Sequence, residues 1–110
     1  MTKVNGLLVV MVDVAPDDED ELNDWYENEH IAERLAIPGF VRARRFRAVE
    51  GSPKYLALYE LESADVVHSE AYKHMKGAGQ TEWTDRVESK YKNFIRNVYV
   101  LISDSEKGEA

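Results

Sequence analysis

The 110-residue chain contains no cysteine, which excludes disulfide scaffolds, thiolate zinc sites, iron–sulfur clusters and cysteine nucleophiles together. Basic charge is also short: 14 Lys and Arg stand against 21 Asp and Glu, for a net charge of -7 and a pI near 4.9. Such a field repels nucleic-acid phosphates and anionic membranes, so neither is expected as a partner. Long hydrophobic runs are missing too. The apolar stretch Leu7 to Val12 is far below the roughly 20 residues of a membrane helix, and no small-residue cleavage site follows it. The expectation is a soluble, cytoplasmic protein. There is no repeat and no internal linker. Residues 1–102 read as one domain, and SDSEKGEA at 103–110 as a flexible C-terminal tail.

What is present is the balance of an ordered domain, 44% hydrophobic and 32% charged. Residues 4–14 carry Val and Leu on both parities, the pattern of a strand with apolar groups on both faces of a sheet. Pro16 breaks that pattern, and the acidic run from Asp17 to Glu21 offers N-cap oxygens and negative charge to a helix dipole, so a helix is predicted from Asp17 or Asp18. Leu22, Trp25, Tyr26, Ala32 and Ala36 share one arc of it, and Pro38 stops it near Ile37. Residues 40–49 and 54–62 form an antiparallel hairpin across Glu50-Gly51-Ser52-Pro53. Ser63 caps a second helix to about Lys76, closed by Gly77 and Gly79; a shorter helix over Thr81 to Tyr91 and a strand from Asn93 to Ile102 complete the chain.

The order β-α-β-β-α-β with right-handed crossovers predicts an α+β, ferredoxin-like fold with a four-stranded antiparallel sheet. Its helices cover one face only. The other face, on the order of 500 Å² of largely apolar sheet at ordinary strand spacings, exceeds what a monomer usually exposes. A second copy related by a two-fold axis is the simplest cover, so self-association as a homodimer is expected.

The densest chemistry lies in Trp25-Tyr26-Glu27-Asn28-Glu29-His30. Tyr26 and His30 stand four apart on one helix face, with Trp25 and Glu29 alongside. An imidazole with an ordinary pKa near 6.5 exchanges protons at neutral pH, and a neighbouring phenol holds an oxyanion or orients the ring. By spacing alone His30 is more often a hydrogen-bonded boundary residue. Tyr59, Tyr72 and Trp83 either line an aromatic pocket for a small apolar molecule or are plain core. Arg42, Arg44, Arg45 and Arg47 on the second strand read as a solvated strand edge; where a bulge intervenes Arg45 is the candidate exception, and placed inward it needs Glu29, Glu33 or an anionic group on a ligand. His68 and His74 lie on different helix faces and no HExxH spacing occurs, so no metal is expected. Gly77-Ala78-Gly79 lacks the pattern of a phosphate loop.

The run WYENEHIAERLAIPGFVRARRFRA, followed by PKYLALYELES and Ala71-Tyr72, resembles the EthD-like branch of the dimeric α+β barrel superfamily over roughly residues 7–102. The resemblance implies two subunits whose sheets close into a dimeric α+β barrel. It also implies a ligand cleft in each between sheet and helices, with His30 facing it. Ile31 stands where such proteins often carry a proline after the histidine. The activities implied are cofactor-independent ones on aromatic, polyketide or lactone molecules. The chemistry expected is isomerase, cyclase or lyase reaction through His30, assisted by Tyr26, with Trp25, Arg45, Tyr59, Tyr72 and Trp83 as substrate-binding residues and no cofactor. A cofactor-free monooxygenase and a non-catalytic ligand-binding dimer are the alternatives.

Overall fold

The computed structural model describes residues 3–108. The first two residues and the last two of the expected tail lie outside them; 103–108 are exposed and carry neither helix nor strand. Four strands, β1 (Gly6–Asp13), β2 (Phe40–Arg47), β3 (Tyr55–Leu61) and β4 (Lys92–Val100), form one antiparallel sheet in the order β2-β3-β1-β4. This is the expected ferredoxin-like arrangement. Among the described residues no helix is long and apolar enough to cross a membrane.

The first crossover opens with a 3-10 turn, Pro16–Asp18, and runs without interruption through α1 (Glu19–Trp25), a π-helical turn (Tyr26–His30) and α2 (Ile31–Leu35). The π turn was not expected; its signature is the Ile31 amide donating to the Tyr26 carbonyl, five residues back. No aspartate side chain caps this helix, contrary to expectation. Gly39, at φ +96°, makes the turn into β2, and a Cβ there would sit 2.4 Å from the Val66 side chain. The second crossover divides into a 3-10 turn (Ala64–His68) begun by Ser63, then α3 (Glu70–Lys76) capped by Ser69, then α4 (Glu82–Glu88) capped by Thr81.

Register assigns the two faces. Leu8, Val12, Ala57, Tyr59 and Leu61 face the helices and are buried with Leu22, Trp25, Tyr26, Ile37, Val67, Tyr72 and Val87. A shift in the β2–β3 pairing between Phe40 and Arg42 puts Phe40, Ala43 and Arg45 on this face. Across the opposite face runs the row Phe46-Leu56-Met11-Ile95, with Leu58, Val9, Leu7 and Tyr99 beside it. Phe46, Ile95 and Tyr99 are exposed.

The expected barrel is not the architecture. Each outer strand, β2 and β4, has one neighbour, so the sheet ends in two free edges and is open; barrels this small need about eight strands closing on one another. β4 differs for the same reason. Its apolar groups on both parities suggest a buried strand, but at the edge most of its residues are exposed.

Candidate functional site

Between the helices and the sheet lies a cavity of about 30 Å³, room for about two waters at most. Its wall is made by two helical stripes and two strands. Tyr26, His30 and Arg34 repeat at intervals of four along the first helix, and Tyr72 and Lys76 repeat the interval on α3. Leu8, Val10 and Tyr59 form the sheet side, while Glu88, Tyr91, Phe94 and Arg96 close it from the end of α4 and from β4. Asn93, at φ +53°, sits in the irregular start of β4, where Phe94 stacks on Tyr91 with ring centres 5.5 Å apart.

The π turn sets the aim of His30. On an α-helix of 3.6 residues per turn, side chains five apart diverge by about 140°; here the Trp25 and His30 rings stack at 4.1 Å and 22°. Trp25 is wholly buried, and its Nε1 donates to Thr84 Oγ1 at 3.1 Å. Thr81 Oγ1 donates to Glu29 Oε2 at 2.7 Å, fastening the π turn to the start of α4. Tyr26 and Tyr59 meet the imidazole edge-on, with centres at 5.3 and 6.4 Å.

Burial, then the charges of Arg34 and Lys76, push the His30 pKa down to about 2, so the imidazole is neutral at any ordinary pH. Burial pushes the phenols of Tyr26, Tyr59 and Tyr91 up, which keeps them protonated donors. The Tyr59 hydroxyl is buried without a hydrogen-bond partner. Tyr72 stacks on Phe40, and its hydroxyl accepts from Arg96 Nη2 at 3.1 Å.

Of the residues singled out from the sequence, His30, Tyr26, Tyr59 and Tyr72 come together on the cavity, and Trp25 backs His30 from within the core. Arg45 and Trp83 are not in the lining. Arg45 does turn toward the helices, lying 4.2 Å over the Tyr26 ring, but its partners are Glu27 Oε2 at 3.0 Å and Asn23 Oδ1 at 2.7 Å rather than Glu29 or Glu33. Trp83 is partly buried against the core, its Nε1 without a partner. Sequence reasoning missed Arg34, Lys76, Glu88, Tyr91, Phe94 and Arg96. Continuing the Tyr26–His30 spacing by one more step reaches Arg34; nothing local points to Arg96. Among the described residues no three His, Asp or Glu side chains are grouped to hold a metal ion.

The fold is shared with several solved structures. A dimeric ferredoxin-like protein from an uncultured marine organism matches with a TM-score of 0.72 at 13% identity, over 97% of this chain and 96% of that one. A monooxygenase from Streptomyces coelicolor, ActVA-Orf6, solved with nanaomycin D, matches at 0.70 and 15%, over 96% and 94%. SnoaB, a cofactor-independent oxygenase from Streptomyces nogalater, matches at 0.68 and 13%, over 94% and 98%. At these identities the likeness is one of fold. No curated protein matches by sequence. The EthD-like assignment is corrected by the family comparison: residues 6–101 match the model described as Domain of unknown function (DUF4286), and the chain belongs to that family.

Proposed function

We propose that this protein is a small enzyme that needs no metal or organic cofactor and acts on an apolar, aromatic or carbonyl-bearing molecule, with His30 as its proton-transfer group. The observation that carries this reading is the meeting of a neutral imidazole and an unpartnered buried phenol, Tyr59, on one cavity beneath the sheet. Unpaired buried polar groups are costly, and a substrate oxygen would supply the missing partner. Loss of a proton from a bound C–H acid to His30 creates imidazolium and enolate together. The charge of the cleft is then unchanged, while Tyr59 and Tyr26 donate to the new oxyanion. Return of the proton to another atom completes an isomerisation, a cyclisation or an elimination. Trp25 holds the ring from behind and Tyr72 shapes the cleft wall.

A second reading, cofactor-free oxygenation, is favoured by the likeness to the two Streptomyces oxygenases. Turnover of polycyclic quinols and 1,3-diketones, followed with an oxygen electrode, separates the two. Under either, His30→Gln lowers turnover about 10²-fold and leaves binding within a few-fold. Unchanged turnover in that variant overturns the role of His30, and binding without product marks an accessory ligand-binding protein instead.

We further propose self-association over the open sheet face. The row Phe46-Leu56-Met11-Ile95 crosses all four strands without a charge, and the marine relative of like fold is described as dimeric. Sedimentation at about 50 µM should show two chains, and Leu56→Glu one, because a carboxylate buried without a partner strongly disfavours association. A wild-type chain that sediments singly at that concentration refutes the pairing.

A further inference from the structure

The cavity wall carries three cations, Arg34, Lys76 and Arg96, against one carboxylate, Glu88, in a protein whose net charge is -7. Arg34 is the anomaly among them. It is only 5% exposed, yet among the described residues no carboxylate lies within ion-pair distance of it. Buried charges are ordinarily paired, because desolvation is otherwise too costly. What Arg34 has instead is the face of Tyr72, 5.7 Å from guanidinium carbon to ring centre, and Arg96 crowds the same ring at 5.9 Å. Two like charges gathered on one phenol are stabilised by an anion placed between them, which guanidinium groups receive in bidentate fashion.

We propose that the substrate is itself an anion: an aromatic or enolisable acid whose carboxylate is received by Arg34 and Arg96, with Lys76 at the rim, while its ring lies against His30 and Tyr59. The inference rests on the cleft being a small-molecule site, as proposed above. Arg34 follows His30 by one helical turn, so the two groups stand about 5–6 Å apart at their Cβ atoms, the reach of one six-membered ring. A cavity of about 30 Å³ is well below the several hundred Å³ of ordinary ligand sites. Entry therefore requires the exposed side chains at the mouth, Lys76, Phe94 and Arg96, to swing outward. Arg45, with Glu27 as its partner, is not needed for the anion.

Benzoate and its neutral isostere benzamide, titrated separately while the NMR signals of His30 and Tyr72 are followed, test the charge directly. Benzoate is expected to bind at least tenfold more tightly, and Arg96→Gln and Lys76→Gln, both at exposed positions, to reduce that preference by fivefold or more together. Equal affinity for the two probes overturns the anion while leaving the cleft as a small-molecule site. No shift at either residue with 50 mM of either probe overturns both. A benzoate preference that survives intact in the Arg96→Gln, Lys76→Gln protein also refutes the assignment, since the charge is then read elsewhere.

Discussion

Replacing Trp25 with alanine is expected to lower the free energy of unfolding by about 4 kcal/mol, the middle of the range for truncating a buried tryptophan, against a total of about 5–15 kcal/mol for a domain of this kind. Trp25 is one of the largest side chains in the core and is fully enclosed. It touches Tyr26 edge-on at 4.8 Å and Tyr91 at 6.5 Å, and it forms the back wall of His30. Its removal leaves a void under the imidazole and takes away the donor that Thr84 receives. Trp25→Phe separates the two contributions. It keeps a ring in the stack but loses the indole N–H and part of the fused ring, so its expected cost is about 1 kcal/mol for the lost hydrogen bond plus a packing loss smaller than that of the alanine variant. Urea unfolding curves of the three proteins give both differences. An alanine variant within 1 kcal/mol of wild type would show that the π turn is not held by this stack.

The strands and crossovers were legible because their signals are local. The two-sided apolar pattern of residues 4–14 contains β1, Pro16 and Pro38 bracket the first helix, and the Glu50-to-Pro53 connection gives the hairpin its pairing. The π turn was not legible, because it is a change in the phase of the hydrogen bonds rather than in composition. Without it Trp25 and His30 point apart. Arg34 was overlooked because a charge on an amphipathic helix reads as solvated, and here the next helix and β4 fold over it. Arg45 was rightly turned inward by the irregular start of β2, but its expected anions were elsewhere. Glu29 is held by Thr81 and Thr84, and those partners are supplied by α4, more than fifty residues on. β4 shows the same limit: two-sided apolarity marks residues that prefer to leave water, and cannot say whether the strand order grants them a neighbour on both sides.

The stability of the protein is expected to fall by about 2 kcal/mol between pH 7.5 and pH 5.0 on account of His30 alone, at about 1.4 kcal/mol per pH unit below the ordinary imidazole pKa. In the unfolded chain His30 takes up a proton near pH 6.5, whereas in the fold burial and the cations Arg34 and Lys76 hold it neutral down to about 2. Above pH 6.5 neither state is protonated and the group contributes no slope. Below it the unfolded state binds a proton that the native state refuses, so acid favours unfolding. Asp13, Glu19 and Glu21, held below the usual carboxylate range by their hydrogen bonds, act in the same direction but only at lower pH. Glu33, raised by burial and by Glu29, works the other way, since the fold keeps its proton more readily than the unfolded chain does. Subtracting the curve of His30→Gln removes these carboxylates and leaves the imidazole. The difference should be flat above pH 7 and slope below 6.5. Parallel curves for the two proteins would mean that the imidazole takes up its proton in the fold as readily as in the unfolded chain. His30 would then carry charge below pH 6.5 and serve as a base only above it, and turnover would fall on acidification with that ordinary pKa.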